Sequence, residues 1–294
     1  MDNNATTRVD PRVVEAMLPF YSDFYGNPSS VHTFGGNVAK SVSAARAQVA
    51  ALINATPEEI VFTSCGTESD STAIRAAIAS YPDRKHIVTT RVEHPAVKNL
   101  CEHLAKNGYR VSFVPVDHEG VLDLDYLYAH LSDDTAIVSV MWANNETGVV
   151  FPIGAMAEIA KSRGILFHTD AVQAVGKIPI NLNKNSSIDF FSISGHKLHA
   201  PKGIGALYVR RGVRYRPLLR GGHQERGRRA GTENSASIVA FGVAAEQAEL
   251  HLETMAGKIK VLRDKLEQGI LAQVPHAFVT GDPDNRVANT CNIA

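Results

Sequence analysis

Ser192-Ile193-Ser194-Gly195-His196-Lys197-Leu198-His199-Ala200-Pro201-Lys202-Gly203 stands directly behind the apolar run Ile188-Asp189-Phe190-Phe191. β-Branched and aromatic residues that give way to a small polar turn read as a buried strand delivering a loop. That loop carries a lysine straight after a histidine. A lysine so placed is positioned to form a Schiff base, provided local packing holds and partly desolvates it so that its amine can be neutral and attack a carbonyl carbon. Ser-Gly-His-Lys alone is a weak signal, because solvated surface lysines occupy such turns too. Its weight depends on what lies on either side.

Working outward, strands and helices alternate. Asp10-Pro11 reads as an N-cap followed by proline at the first helical position, opening a helix through Val13, Val14, Met17 and Leu18. Val38, Val42, Ala45, Val49 and Leu52 recur at helical spacing and predict a second helix from about 36 to 54. Thr56-Pro57-Glu58-Glu59 has the form of a capping box and runs at once into a strand at 60–63. Further strands are expected at 86–91, 110–116, 136–142, 165–169, 188–193 and 204–210, with helices at 95–107 and 153–163. This alternation predicts a mostly parallel sheet covered by helices, with ligands beyond the carboxyl ends of the strands. After about residue 233 one long helical stretch continues through Ile270, followed by two strand-like pieces at 277–280 and 287–293. We expect a large domain at 11–245 and part of a smaller one at 246–294, which residues 1–10 adjoin.

Composition narrows the function class. Lys+Arg and Asp+Glu both number 30, a balance that argues against a dedicated nucleic-acid or anionic-membrane binder. Cys65, Cys101 and Cys291 lack CxxC spacing, so neither a disulfide framework nor a thiolate metal site is expected. No run approaches the roughly 18 apolar residues of a membrane span, and no leader pattern opens the chain, so a cytoplasmic enzyme is expected.

Four more segments lie at expected strand ends, and each allows two readings. Gly66-Thr67 opens a helix that runs through Ala73, Ile74, Ala77 and Ile78; it is either a plain helix start or a phosphate cradle. His94 precedes Pro95, as a neighbour of a helix cap or as an imidazole stacked on a flat ring and moving protons. Asn144-Asn145-Glu146-Thr147-Gly148 is a turn, or it presents an amide to a phenolic oxygen. Asp170, with Gln173 three residues on, is a helix cap or the carboxylate that keeps a pyridine nitrogen protonated. Between Arg210 and Arg229 lie eight arginines, read as a glycine-rich mobile loop reaching a phosphate or a neighbouring subunit; Thr232 closes it with a hydroxyl. Taken with Lys197, the functional readings share one cofactor, pyridoxal 5'-phosphate (PLP).

At this point the chain resembles the cysteine desulfurases of the aminotransferase class V group, in their nitrogen-fixation (NifS) branch. The stretches that carry the resemblance are Asp2-Asn3-Asn4-Ala5-Thr6-Thr7, Gly26-Asn27-Pro28-Ser29-Ser30, Glu93-His94-Pro95, Asn144 to Gly148, Asp170-Ala171-Val172-Gln173, Ser194-Gly195-His196-Lys197 and Arg228-Arg229-Ala230-Gly231-Thr232-Glu233-Asn234. The resemblance implies the aspartate-aminotransferase-like fold of PLP-dependent transferases. It also implies a homodimer, L-cysteine as substrate and an iron–sulfur scaffold protein as sulfur acceptor. Lys197 and His94 become the catalytic pair, and Asp170 the partner of the ring nitrogen. Gln173 and Asn145 approach the ring oxygen. Gly66, Thr67, Ser194 and His196 hold the phosphate, with Thr232 contributed from a second subunit. In the family a cysteine on a mobile loop takes the sulfur and an arginine binds the substrate carboxylate, both in the C-terminal part of the pattern. None of the three cysteines here occupies that place, so the expectation is an incomplete small domain. A short first strand is likewise expected to be missing. Selenocysteine lyase, another class V aminotransferase and an inactive PLP-binding fragment are the alternatives this reading carries.

Overall fold

Seven strands form one sheet in the order β1-β7-β6-β5-β4-β2-β3. In the computed structural model, which describes residues 2–294, they are β1 Ile60–Thr63, β2 His86–Thr90, β3 Arg110–Val114, β4 Thr135–Ser139, β5 Leu166–Asp170, β6 Phe190–Ser194 and β7 Gly205–Val209. The five strands from β3 through β6 are parallel, and β7 runs antiparallel to both β6 and β1. All seven expected strands are present, and the sheet is mostly parallel as predicted.

The helices are α1 Pro11–Met17, α2 Pro19–Ser22, α3 Thr33–Leu52, α4 Gly66–Ser80, α5 Pro95–Ala105, α6 Leu124–His130, α7 Ile153–Ser162, α8 Ser235–Leu250, α9 Leu252–Thr254 and α10 Lys260–Gln273. They cover both faces, and consecutive strand residues show it. Val61, Ile87, Ile137, Leu166 and Phe190 pack with α4 and α5, while their successors Phe62, Val88, Val138, Phe167 and Phe191 pack with α3, α7 and α8. Side chains alternate across a strand, so a sheet buried on both sides needs unbroken apolar runs. Each fully buried phenylalanine among them contributes roughly 1.5–3 kcal/mol of burial. On the second face α3 and α8 lie backbone to backbone: a Cβ on Gly242 would stand 2.6 Å from Ala45 Cα.

Three sequence expectations shift. The second helix starts at Thr33 because His32 caps it, its Nδ1 accepting from the Gly35 N–H at 3.3 Å. The long helical stretch after 233 is interrupted at His251 and by a π-helical turn at Met255–Ile259, a wider winding that contains Gly257. The two terminal strand-like pieces meet in a single antiparallel bridge, Val279 to Ile293. Between them Asp282 Oδ1 accepts from the Asp284 and Asn285 N–H groups. That turn leads the chain to the loop after β4, where Val150 N–H donates to Asn285 O and Val287 N–H to Gly148 O, both at 2.9–3.0 Å.

Candidate active site

A cavity of about 1000 Å³ opens beyond the carboxyl ends of β5 and β6 and the start of α4. Gly66, Thr67, His94, Asn145, Asp170, Gln173, Ser194, His196 and Lys197 all line it. Nine of the ten residues singled out from sequence are therefore brought together. Thr232 is not. It lies in a separate hollow of about 180 Å³ beside Thr63, Ser64 and Arg229.

Lys197 ends a 3₁₀ turn, Gly195–Lys197, that follows β6 without a break. Its Nζ donates to the carbonyl oxygens of Asn4 and Ala5, the second at 2.8 Å. Burial lowers its pKa, against the pull of Asp2, Asp170 and Glu146. His196 anchors the N-terminal segment: Thr6 Oγ1 lies 3.1 Å from its Nδ1, and its carbonyl accepts from Thr7 N–H at 3.1 Å and Thr7 Oγ1 at 2.9 Å. Residues 2–7 are thereby part of the site.

Asp170 ends β5 and is 5% exposed. Val172 N–H donates to its Oδ1 at 3.0 Å in a turn that opens no helix, so the helix-cap reading is not met, while the carboxyl does line the cavity. Burial raises its pKa to about 7, and the neighbouring carboxyl of Asp70 adds to the rise. Asp70 itself is pushed up to about 7 by burial, and its Oδ1 has no hydrogen-bond partner among the described residues. His168 Nε2 approaches that oxygen at 3.5 Å, but burial lowers His168 to about 4. The ring is instead held neutral between Ser139 Oγ at 2.8 Å and Ser192 Oγ at 2.9 Å, so the contact with Asp70 is not an ion pair. The cavity lining thus includes two buried carboxyls, Asp70 and Asp170.

His94 is the N-cap of α5, its Nδ1 accepting from Ala96 N–H at 3.1 Å, and its ring also faces the cavity. Asn144 builds the loop after β4: its Oδ1 accepts from Glu146 and Thr147 N–H groups, each at 2.9 Å. Asn145 beside it lines the cavity, with its amide donating to Glu146 Oε1 at 2.6 Å. The arginine-rich loop is tied to its own chain. Arg226 donates to Ile60 O at 2.9 Å, Arg228 to Glu58 O, and Arg229 pairs with Glu68 at 2.9 Å. Glu225 and Arg226 take left-handed φ values of 48° and 59° there.

Sequence reasoning gave no role to Asn4, Asp70, Glu93 or Lys177. Glu93 is buried under the site, with Oε1 accepting from Thr90 Oγ1 at 2.7 Å and from Met141 N–H at 3.0 Å. Lys177 is buried against Gln173, and its one signal in the sequence is a lysine set among Ala174, Val175 and Ile178.

The lining of this cavity carries groups of opposite electrical character. α4 opens with no side-chain cap, so its free N–H groups and dipole favour an anion beside Gly66 and Thr67. The same lining offers the carboxyl of Asp170 to a cation. Over residues 1–294 the chain matches the family described as Aminotransferase class-V.

The chain belongs to that family. It is 63% identical over 295 residues to Cysteine desulfurase NifS of Azotobacter vinelandii, an alignment covering 100% of this chain and 73% of that one. It is 61% identical over 293 residues to Cysteine desulfurase 1 of Trichormus variabilis, with coverage of 100% and 73%. A solved structure described as a NifS-like protein superposes with a TM-score of 0.95 at 42% identity, covering 100% of this chain and 80% of that one. SspA in complex with cysteine gives 0.88 at 33% identity, covering 99% and 82%. The class V fold of PLP-dependent transferases and the NifS-type branch are thereby established, and membership implies PLP. The residues fit that group. The uncapped α4 suits its phosphate, Asp170 its ring nitrogen, and a Cβ on Gly66 would intrude to 3.0 Å from Val172 Cγ2 and 3.4 Å from Ser194 Cβ.

Proposed function

We propose that this protein removes sulfur from L-cysteine, releasing L-alanine and passing the sulfur through a protein persulfide to iron–sulfur cluster assembly. The observation that carries the reading is the set of groups that share one cavity: an uncapped helix start, Lys197 and the buried carboxyl of Asp170. When bound, PLP supplies an electrophilic carbon and a protonated ring that absorbs electrons released at the substrate's α-carbon. Gly66 and Thr67 would hold the phosphate through backbone N–H groups and a hydroxyl, with Ser194 and His196 beside them. Thr232 would complete that shell from the second copy of a homodimer, in keeping with its place outside its own chain's cavity. Asp170 would hold the proton on the ring nitrogen, and the arriving cation lowers the cost of ionising that buried carboxyl. Lys197, whose pKa is lowered by burial, would be the amine that holds the cofactor and would accept the substrate α-proton at Nζ. His94, in the cavity lining, would cover the ring and carry a proton to or from substrate. Asn145 and Gln173 would donate to the ring oxygen. On the same reading residues 11–245 form the cofactor-binding domain, residues 246–294 begin the smaller one, and the enzyme works in the cytoplasm.

Borohydride reduction of the PLP-loaded protein, followed by peptide mapping, is expected to place the pyridoxyl label on Lys197. Alanine formation from cysteine, compared with selenocysteine and with keto-acid acceptors, tests the substrate class. A label chiefly on Lys177 or Lys202, or none, would overturn the site; transamination exceeding alanine release would overturn the desulfurase assignment.

A further inference from the structure

Lys177 lies four residues after Gln173 and is 7% exposed. Its Nζ donates to Gln173 Oε1 and, at 3.3 Å, to Asn4 Oδ1. Both partners are neutral amide oxygens. Burying an ammonium against neutral oxygens is costly, and a leucine or methionine would fill the same space among Ala174, Val175 and Ile178 at less expense to stability. The contact has a directional consequence, however. The two ends of a glutamine amide have almost the same shape, and only their partners distinguish the acceptor from the donor. A lysine offers N–H donors whether charged or neutral, so it selects the oxygen. With Oε1 held by Lys177, the amide's other end must present N–H groups on the opposite side. There Gln173 Nε2 donates to Asn4 O at 2.9 Å, at the cavity wall. Asn4 is itself pinned, donating through Nδ2 to Thr290 Oγ1 at 2.9 Å and accepting at Oδ1 from Asn289 Nδ2 at 3.0 Å.

We propose that Lys177 is a positioning residue, which fixes the flip of the Gln173 amide so that its N–H2 end, and not its oxygen, faces the ring oxygen of bound cofactor. The inference rests on the PLP reading above and assigns Lys177 no contact with substrate or cofactor. Without Lys177 only the Asn4 carbonyl distinguishes the two ends of the amide, and the turned state, whose oxygen opposes an electron-rich phenolic oxygen, gains population. Gln173 sits at the same cavity wall as Asp170 and Lys197, so a turned amide alters the cofactor's electronic surroundings as well as its affinity.

The test is a double-mutant cycle on the full chain, Lys177→Met, Gln173→Leu and the pair together. It is read by the PLP dissociation constant and by the absorbance maximum of bound PLP across a pH series. Lys177→Met is expected to weaken PLP by roughly tenfold, the scale of one hydrogen bond, and to shift the absorbance as Gln173→Leu does. The double variant should be no worse than either single one. Lys177→Gln, which keeps an N–H donor, is expected to recover part of the loss. An unchanged spectrum and affinity in Lys177→Met would overturn the proposal. So would an equal effect of Lys177→Met in the Gln173→Leu background, because Lys177 would then act without Gln173. Wild-type protein that takes up no PLP would instead overturn the underlying function.

Discussion

Replacing Asp170 with asparagine removes one charge from the cavity floor and little else. The position is 5% exposed, and an asparagine Oδ1 there can still accept the Val172 N–H, now 3.0 Å from the carboxyl. What changes is the partner offered to a protonated ring nitrogen. At an effective dielectric of about 20, opposite unit charges about 4 Å apart attract by ~4 kcal/mol. An amide oxygen in the same place keeps a hydrogen bond worth ~1 kcal/mol. The difference of ~3 kcal/mol falls on the step that releases electrons into the ring, and a tenfold rate change corresponds to ~1.36 kcal/mol. Exchange of the substrate α-proton is therefore expected to slow by at least about two orders of magnitude. The assay is loss of the α-proton signal of L-alanine in deuterated buffer by NMR, because alanine has no sulfur and the readout is then free of the transfer step. Absorbance of bound PLP confirms that the variant is loaded. A loaded Asp170→Asn protein that exchanges within about threefold of the wild type would refute the reasoning, since a lost partner charge cannot cost so little.

Other outcomes follow from buried charge elsewhere. Burial pushes Glu93 up to about 8, so the folded protein keeps this proton to higher pH than the unfolded chain does. Its stabilisation is complete below the usual glutamate value of 4.5 and is lost as pH rises through about 8; Asp70 and Asp170, raised to about 7, act with the same sign. The thermal midpoint of cofactor-free protein should fall from pH 4.5 to about pH 8 and level off above it, and the fall should be less in Glu93→Gln; an equally steep fall would exclude Glu93 as a cause. Arg46 donates to both carboxylate oxygens of Glu225, at 2.6 and 2.7 Å, and Glu225 is 5% exposed. Arg46→Met leaves that carboxylate buried without its cation and should cost ~3–5 kcal/mol in urea unfolding; a loss under ~1 kcal/mol would mean that water replaces the arginine. Cys101 is fully buried with its thiol raised to about 12 by burial, so iodoacetamide should label Cys65 well before it in native protein.

The site was legible where chemistry coincided with a strand end. Lys197, Asp170, His94 and Gly66 each follow an apolar run directly, so a parallel sheet places them together whatever the loops do. The strands themselves were readable because both faces are buried and the runs are continuous. Short elements were harder: α6 is seven residues long and is announced chiefly by Asp123, whose Oδ1 caps Tyr126 N–H at 2.8 Å. The terminal strand pieces misled because β-branched residues there serve one bridge and a docking loop, not a ladder. Asn4, Asp70, Glu93 and Lys177 escaped for a different reason. Asn4 and Asp70 depend on partners about a hundred or more residues away, Lys177 and Glu93 mix near partners with distant ones, and nothing local marks a polar residue as buried.

The N-terminal segment that touches Lys197 also constrains how the protein comes together. Asn4 reaches residues 193 and 286 positions further along the chain, Lys197 and Thr290. Contacts of such sequence separation close the largest loops and form late, after the local helix and strand pairings. The sheet and its helices can therefore be native while the cavity still lacks one wall. In a refolding experiment, cofactor uptake should trail the recovery of secondary structure, and its half-time would report the docking of a few N-terminal residues, not the collapse of the core.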